Sequence, residues 1–282
     1  MQTPVSSLRR SPSLGAVASS RAALVPVEAR ALSPLPPKPP AFLALREPPP
    51  ATLEAAIGQL GALSRRLAAQ GDRRAIFPAI YEMQVRAMAA DLAVPGRYAD
   101  PAWMTRMALD FAQRYFDAFD AYEQGDRAAV PEAWLRAFDH ARQARGPVTN
   151  ELMLSMNAHI NHDLALSVAA TGGEPSHRKD FERFNACLKA NVDGVQALLE
   201  GHLRPRGSIA GTLDKLAGPL DEWLAGRMIA AWRATAWRHA MAIAQRGEPA
   251  YAPVVRRATW NARVIDAVGQ AVPASWVKRG LI

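Results

Sequence analysis

The chain has 282 residues, 49% of them hydrophobic, and a formal net charge of +8 at pH 7. Its single cysteine, Cys187, excludes an internal disulfide framework and favours a reducing compartment, so we expect a cytoplasmic protein. No apolar run approaches the roughly 20 residues that span a bilayer. Basic and acidic residues are interleaved, with no basic stripe among aromatics, so the sequence predicts neither a membrane span nor nucleic-acid binding.

The first fifty residues differ in composition from the rest of the chain. They contain 11 of the 22 prolines and a single aromatic residue, Phe42. Such a segment buries too little apolar surface to offset the entropy lost on ordering. We therefore predict a disordered tail over residues 1–50, followed by one helical domain over residues 51–282.

From residue 51 onward, the spacing of apolar residues predicts helices. Thr52 can cap the first helix, whose apolar stripe ends at Leu67. Asp100 followed by proline is typical of a helix start, here the start of a long amphipathic helix. The predicted helices after the first cover residues 76–91, residues 101–123 and the residues from Pro131 onward.

The long third helix carries two different stripes. The apolar stripe is predicted to lie in the core and consists of Met104, Ala108, Phe111, Tyr115, Phe119 and Tyr122. The charged stripe alternates in sign at four-residue steps and consists of Arg106, Asp110, Arg114 and Asp117. We interpret this second stripe as a solvated salt-bridge face rather than as a source of metal ligands.

The most informative stretch covers residues 155–166, where polar side chains interrupt an otherwise apolar run that ends at two glycines. The stretch predicts a central helix of about four to five turns. At 100° per residue, His159, His162 and Asp163 share one face, and Asn157 and Asn161 share the opposite face. Both faces are flanked by apolar residues, so these polar groups need partners to offset a burial cost of several kcal/mol.

Two interpretations explain this polar set. In the first, the imidazoles and the carboxylate bind a metal ion, because ligands three and four residues apart on one helix can converge on one ion. In the second, the same groups are a buried hydrogen-bond network that fixes the packing of neighbouring helices. The sequence alone leaves both interpretations open.

After the central helix, the pattern predicts a helix from Ser176 to about Gly201 and a loop over residues 202–218 that is either a lid or disordered. Pro219 is predicted to start the last major helix, on which Arg227 and Arg233 are candidates to pair with Asp163 or to hold an anionic substrate. From Tyr251 the sequence predicts one short helix and an extended segment.

The central motif resembles the hallmark helix of a widespread, largely bacterial family of unknown function. The resemblance covers about residues 75–245 and is carried by the motif Asn157-Ala158-His159-Ile160-Asn161-His162-Asp163-Leu164 and by blocks that include Arg97–Asp100, Phe111–Ala118, Asp180-Phe181 and Ala236-Trp237. It implies a helical domain and supplies no activity.

A fainter pattern is similar to the all-helical His-Asp phosphohydrolases. His140 lies 22 residues before His162, whose neighbour Asp163 completes a His-Asp doublet. Those enzymes also use a downstream aspartate on another helix. The candidates for that ligand are Asp180, Asp193 and Asp214.

Strand signals are absent, because short alternating runs of Val and Ile and hairpin dipeptides do not occur. The sequence therefore predicts an all-α fold: a single orthogonal or bundle-like domain of six to eight helices around a buried central helix. The oligomeric state does not follow from the sequence.

The function that we predict is that of a metal-dependent hydrolase acting on a small, anionic substrate. A divalent cation, zinc in the first instance or iron, lowers the pKa of bound water and polarises the substrate. The predicted ligands are His159, His162 and Asp163, with Asn157 or Asn161 orienting them and Arg227 or Arg233 neutralising an anionic oxygen. Two alternatives are a non-catalytic helical module with a buried polar network and a non-haem iron oxidoreductase with the same ligands.

Overall fold

The computed structural model describes residues 48–143, 148–191, 194 and 214–271, which all lie within one compact unit, Leu35–Ile282. The all-α prediction is confirmed, since no strand occurs among these residues. The predicted tail falls almost wholly on residues 1–47, outside this description. The helices are α1 (Leu53–Ala69), α2 (Ile76–Leu92), α3 (Pro101–Gln124), α4 (Glu132–Gln143), α5 (Val148–Asn157), a π-helical segment (Ala158–Asp163), α6 (Leu164–Ala170), α7 (Arg178–Ala190), α8 (Asp214–Arg246) and α9 (Tyr251–Ala271).

The predicted helix starts in the first half of the chain are confirmed by their caps. The Thr52 hydroxyl accepts a hydrogen bond from the backbone N–H of Ala55 at 3.1 Å. The carboxylate of Asp100 accepts one from the N–H of Trp103 at 2.7 Å. Helix α3 ends at Gly125, whose φ of +82° is the left-handed conformation that glycine adopts at no steric cost.

The core is built from aromatic rings of α2, α3 and α4. Tyr115 packs against Phe77 and Trp134 with ring centroids 5.1 and 5.2 Å apart, and Trp134 stacks on Phe138 at 5.2 Å. Tyr115 of α3 and Trp134 of α4 are almost fully buried, as predicted for Tyr115 in the apolar stripe of α3. These rings form the wall against which the central helix lies.

The central helix is continuous from α5 through the π-helical segment into α6. Its buried apolar residues are Leu154, Ala158, Leu164, Ala165 and Val168, so the prediction of a buried central helix is confirmed. It contacts α3 and α4 on one side and α8 and α9 on the other. The helix is not regular, however. The Leu164 N–H donates to the His159 carbonyl, a five-residue step that defines π geometry.

Helix α8 begins earlier than predicted. Residues 214–218 are helical rather than part of a loop, and residues 202–213 of the predicted loop lie outside the described chain. Pro219 therefore lies inside the helix, where it removes one hydrogen bond without ending it. The residues before it, Lys215, Leu216 and Ala217, are good helix formers and explain the earlier start.

The other departures concern α7 and α9. Helix α7 ends at Ala190, well before the predicted end near residue 201. Helix α9 has 21 residues and is longer than the short helix that was predicted, while residues 272–282 of the predicted extended segment lie outside the described chain. The buried residues Val254, Ala258 and Ala262 recur every four residues and hold α9 against the body of the domain. None of the described helices combines the length and apolarity that a bilayer crossing requires.

Removal of the Asn157 side chain is expected to destabilise the domain. Its amide Nδ2 donates to the Ala258 carbonyl of α9 at 2.8 Å, and its Oδ1 accepts from Asn161 at 3.1 Å. We expect Asn157→Ala to lower the free energy of unfolding by about 2 to 3 kcal/mol, because buried partners lose their hydrogen bonds. Urea unfolding measures this change. The control Asn191→Ala removes a half-buried amide that donates to the Cys187 carbonyl, and a loss as large as that of Asn157→Ala would contradict the assignment.

Candidate functional site

The π-helical segment carries the polar residues that the sequence singles out. Segments of this kind are rare and occur frequently at functional sites. The segment directs His159, His162 and Asp163 towards the aromatic wall, and Asn157 and Asn161 towards α9. The predicted division of the central helix into two polar faces is therefore confirmed, although the helix is not a regular α-helix.

Asp163 lies at the centre of the first face and is 2% exposed. Its Oδ1 is 2.7 Å from Nδ1 of His162, and its Oδ2 accepts a hydrogen bond from Nε1 of Trp134 at 2.8 Å. Burial by itself would raise the pKa of Asp163, but the adjoining imidazoles of His162 and His159 hold it below its ordinary value. The side chain is therefore a buried carboxylate with a fixed orientation.

His159 occupies a pocket of aromatic rings. Its ring stacks on Phe111 at a centroid distance of 3.5 Å and meets the ring of Tyr81 edge-on at 4.3 Å. Neither ring nitrogen has a hydrogen-bond partner among the described residues, and Nδ1 is 3.8 Å from Oδ2 of Asp163, too far for a hydrogen bond. Burial lowers the pKa of His159 by more than the neighbouring Asp163 carboxylate raises it, and the positive charge of Arg233 lowers it further, so the imidazole is neutral at pH 7.

Tyr81 adds a third unpartnered polar atom to this pocket. Its buried hydroxyl has no hydrogen-bond partner. Burial raises the pKa of Tyr81, and the negative charges of Asp163 and Asp110 raise it further, so the hydroxyl stays protonated. A buried polar group without a partner costs about 1 to 3 kcal/mol. Among the described residues, the surroundings of Asp163 thus include three buried polar atoms without a hydrogen-bond partner: both ring nitrogens of His159 and the Tyr81 hydroxyl.

The two asparagines are engaged in packing. Asn161 donates to Asn157, which donates in turn to the Ala258 carbonyl, and Asn161 Oδ1 lies 3.4 Å from Nε of Arg257. This chain of hydrogen bonds joins the π-helical segment to α9. The two asparagines thus hold the π-helical segment against α9. Their amides lie on the side of the central helix opposite His159, His162 and Asp163.

The two candidate arginines lie in different environments. Arg227 is exposed. Arg233 is buried and donates to Oδ1 of Asn185 at 2.5 Å and to the Phe181 carbonyl at 3.0 Å, with its guanidinium 4.4 Å from the Phe181 ring. Within the described chain Arg233 has no ion pair with Asp163 or any other carboxylate, and burial lowers its pKa to about 10.

Two candidates for the phosphohydrolase-like ligand set, Asp193 and Asp214, have side chains outside the described residues, and the two described candidates, His140 and Asp180, have other partners. Nδ1 of His140 pairs with Asp266 of α9 at 3.2 Å, away from the His162-Asp163 doublet. Asp180 accepts hydrogen bonds from the backbone N–H groups of Ala99 and Asp100 at 3.0 and 2.7 Å, so it caps the start of α3. His140 and Asp180 are each bonded to a structural partner. The resemblance to the phosphohydrolases therefore identifies no ligand set among the described residues.

The charged stripe of α3 behaves as predicted. Arg114 pairs with Asp110 at 2.7 Å, and both side chains are about 30% exposed. Arg114 also contacts the Ser167 hydroxyl at 3.0 Å, which ties the stripe to α6. Across the ranges that the structure covers, no group of three or more His, Cys, Asp or Glu side chains is arranged to hold a metal ion as it stands.

Comparison with known proteins identifies the family but no activity. A model described as "Family of unknown function (DUF5995)" matches residues 53–272. The chain belongs to this family. No curated protein matches the chain, and no solved structure matches it. The family assignment supplies no activity, and function has to be argued from the residues.

Two residues of the candidate site, Trp134 and Tyr81, do not stand out in the sequence as site residues. Trp134 lies on the apolar face of the helix predicted from Pro131, a pattern that indicates only a core residue, yet it supplies the hydrogen bond that orients Asp163. Tyr81 was not singled out. Its signal was its position between Phe77 and Val85 at four-residue steps, which places a hydroxyl on the inward face of α2.

The neutral state of His159 predicts a pH dependence of stability. Because its pKa is lower in the folded chain than the value of about 6.5 in the unfolded chain, only the unfolded chain takes up this proton as the pH falls. The contribution of the neutral His159 to the free energy of unfolding is therefore complete well above pH 6.5 and is lost progressively as the pH falls below it. We expect the free energy of unfolding to fall between pH 7.5 and 5.5.

His239 also has a pKa lowered by burial, so the contribution of His159 is measured as a difference. Urea unfolding of His159→Phe should show a weaker pH dependence than the wild type between pH 7.5 and 5.5. The control is His177→Phe, which changes a histidine stacked on Trp103 outside the site. An unchanged dependence in His159→Phe would show that His159 is not held neutral.

Proposed function

We propose that the chain is a metal-dependent hydrolase whose divalent cation is bound by His159, His162 and Asp163. The observation that carries this proposal is the buried imidazole of His159, neither of whose nitrogens has a partner although a buried carboxylate lies 3.8 Å away. A divalent cation would satisfy this imidazole. Two neutral imidazoles and one carboxylate are also a common ligand set for zinc and for iron.

The distances around Asp163 are compatible with an ion after a small rearrangement. The two histidine Nδ1 atoms lie 2.7 and 3.8 Å from the two carboxylate oxygens. A tetrahedral ion with bonds of about 2.0 to 2.2 Å separates its ligand atoms by roughly 3.3 Å, so the His162 ring would move away from Asp163, the His159 ring would approach it, and the carboxylate would turn one oxygen towards both rings. The His162–Asp163 hydrogen bond would be replaced by bonds to the ion.

The surrounding residues support hydrolysis once an ion is bound. The ion would lower the pKa of a bound water towards neutrality and polarise the scissile group. The Tyr81 hydroxyl, which has no other partner, would donate a hydrogen bond to the water or to the substrate. Trp134 would continue to hold Oδ2 of Asp163, and such outer hydrogen bonds fix the orientation of metal ligands.

The substrate class that we propose is a small molecule with an anionic group. Arg233 supports this choice, because its buried guanidinium has hydrogen bonds but no carboxylate partner among the described residues. Its charge is close enough to lower the pKa of His159. An anionic substrate would supply the missing counter-charge. Arg227 is exposed and would at most contribute from the surface of α8.

The identity of the ion separates hydrolysis from redox chemistry. Bound zinc supports the hydrolase, whereas bound ferrous iron with the same two-histidine, one-carboxylate set supports a non-haem iron oxidoreductase. The cytoplasmic location stays a prediction that rests on the single cysteine, Cys187.

The second candidate is a non-catalytic helical module with a buried polar network. It is favoured by one observation, that the Asp163 carboxylate already has partners on both oxygens, His162 and Trp134. In this case His159 would be satisfied by a water molecule or a small ligand. In the hydrolase His162 is a metal ligand, whereas in the non-catalytic module it is a hydrogen-bond partner of Asp163. Replacing His162 therefore separates the two candidate functions.

The test is metal binding by wild-type protein and by His162→Ala. For the wild type grown in metal-replete medium, we expect about one equivalent of zinc or iron per chain by elemental analysis. His162→Ala should lose most of the metal, because it lacks one of three protein ligands. His177→Ala is the matched control, since it removes a histidine that pairs with Asp100 outside the site, and it should keep its metal.

Activity is measured on a panel of nitrophenyl esters that includes phosphate and acyl esters. We expect turnover that a chelator abolishes and that added zinc restores, with none in His162→Ala. Wild-type protein that holds no metal after growth and none after titration would rule out the metal-dependent enzyme. If His162→Ala then lowers only the melting temperature, the helical module is the better account.

A further inference from the structure

The outward face of α9 carries an apolar stripe that no other part of the described chain covers. Trp260 is 64% exposed, Val264 42% and Val268 62%. These residues recur at four-residue steps, so they lie along one side of the helix. The opposite side, with Val254, is buried against the domain. Most of the other exposed large hydrophobic residues in the described chain also belong to α9, which makes this surface distinct from the rest of the molecule.

Arginines border this stripe on both sides. Arg256 lies four residues before Trp260, and Arg257 and Arg263 flank the stripe; all three are exposed. Among the described residues Arg256 has no ion pair. Arg263 shares the carboxylate of Glu132 with Arg136, and Arg257 makes only a long contact with Asn161. The surface therefore combines a tryptophan, two valines and a net positive charge.

Few kinds of partner match both the apolar side chains and the positive charge of this surface. A second copy of the chain packed across a two-fold axis would bring arginines opposite arginines, which is unfavourable. A nucleic acid would match the charge but would leave the valines without an apolar contact. The surface of an anionic bilayer matches both features, because tryptophan and aliphatic side chains enter the boundary between headgroups and acyl chains while arginines meet the lipid phosphates.

We propose that α9 docks this protein on anionic phospholipid bilayers, with Trp260, Val264 and Val268 entering the interface and Arg256 facing the headgroups, while Arg257 and Arg263 add to the positive charge of the surface. The helix lies in the plane of the membrane and does not cross it. The proposal is independent of the metal site, which lies on the other side of the central helix from α9.

The experiment is co-sedimentation of the full-length protein with vesicles. One set contains phosphatidylglycerol in phosphatidylcholine and the other contains phosphatidylcholine alone, each at low and high salt. We expect binding to the anionic vesicles at low salt, with a loss at high salt. Trp260→Ser and Arg256→Glu should each weaken it about tenfold, because one removes the interfacial side chain and the other reverses a charge.

The matched control is Val94→Ser, which removes an exposed apolar side chain outside α9 and should bind like the wild type. Circular dichroism and melting temperature should be unchanged in all three variants, since the substituted side chains are exposed. Equal binding to both vesicle types, or full binding by Trp260→Ser, would overturn the proposal. So would a dimer in sedimentation velocity that Trp260→Ser dissociates without any vesicle binding, which would assign the surface to a second copy.

Discussion

The structure depends on one buried carboxylate. Asp163 joins the central helix to α4 through Trp134 and fixes the ring of its neighbour His162. Taking a carboxylate out of water is costly unless hydrogen bonds and opposite charges offset the loss. Asp163 therefore ties the packing of the aromatic wall to the orientation of the imidazoles. The same residue is the only acidic member of the proposed ligand set, so folding and proposed chemistry rest on the same group.

Much of the fold could be predicted from local signals. Thr52 and Asp100 are caps whose effect is confined to the first turn of a helix, and both were predicted correctly. The π-helical geometry was not predicted, because it is stabilised over long sequence separations. Asn157 bonds to a carbonyl 101 residues away, and the Trp134 contact spans 29 residues. The start of α8 was missed because Pro219 was read as a helix start, whereas neighbouring residues continue the helix through it.

The site could be predicted only in part. The three-residue and four-residue spacing of His159, His162 and Asp163 identified the polar face, because residues at these spacings lie on the same side of the helix in both α and π geometry. What the face contacts depends on the packing of other helices. Tyr81 carries no sequence signal beyond its place on an apolar stripe, although its hydroxyl completes the pocket. The role of Arg233 likewise depended on whether a carboxylate would lie beside it, and the described chain places an amide and a carbonyl there instead.

The most direct test of the central claim is anomalous X-ray diffraction from crystals grown with zinc. The account predicts one strong anomalous peak at the π-helical segment, about 2.0 to 2.2 Å from ring nitrogens of His159 and His162 and from the Asp163 carboxylate. A map without a peak there, in which His162 remains hydrogen-bonded to Asp163, would contradict the metal site and leave the segment as a structural network.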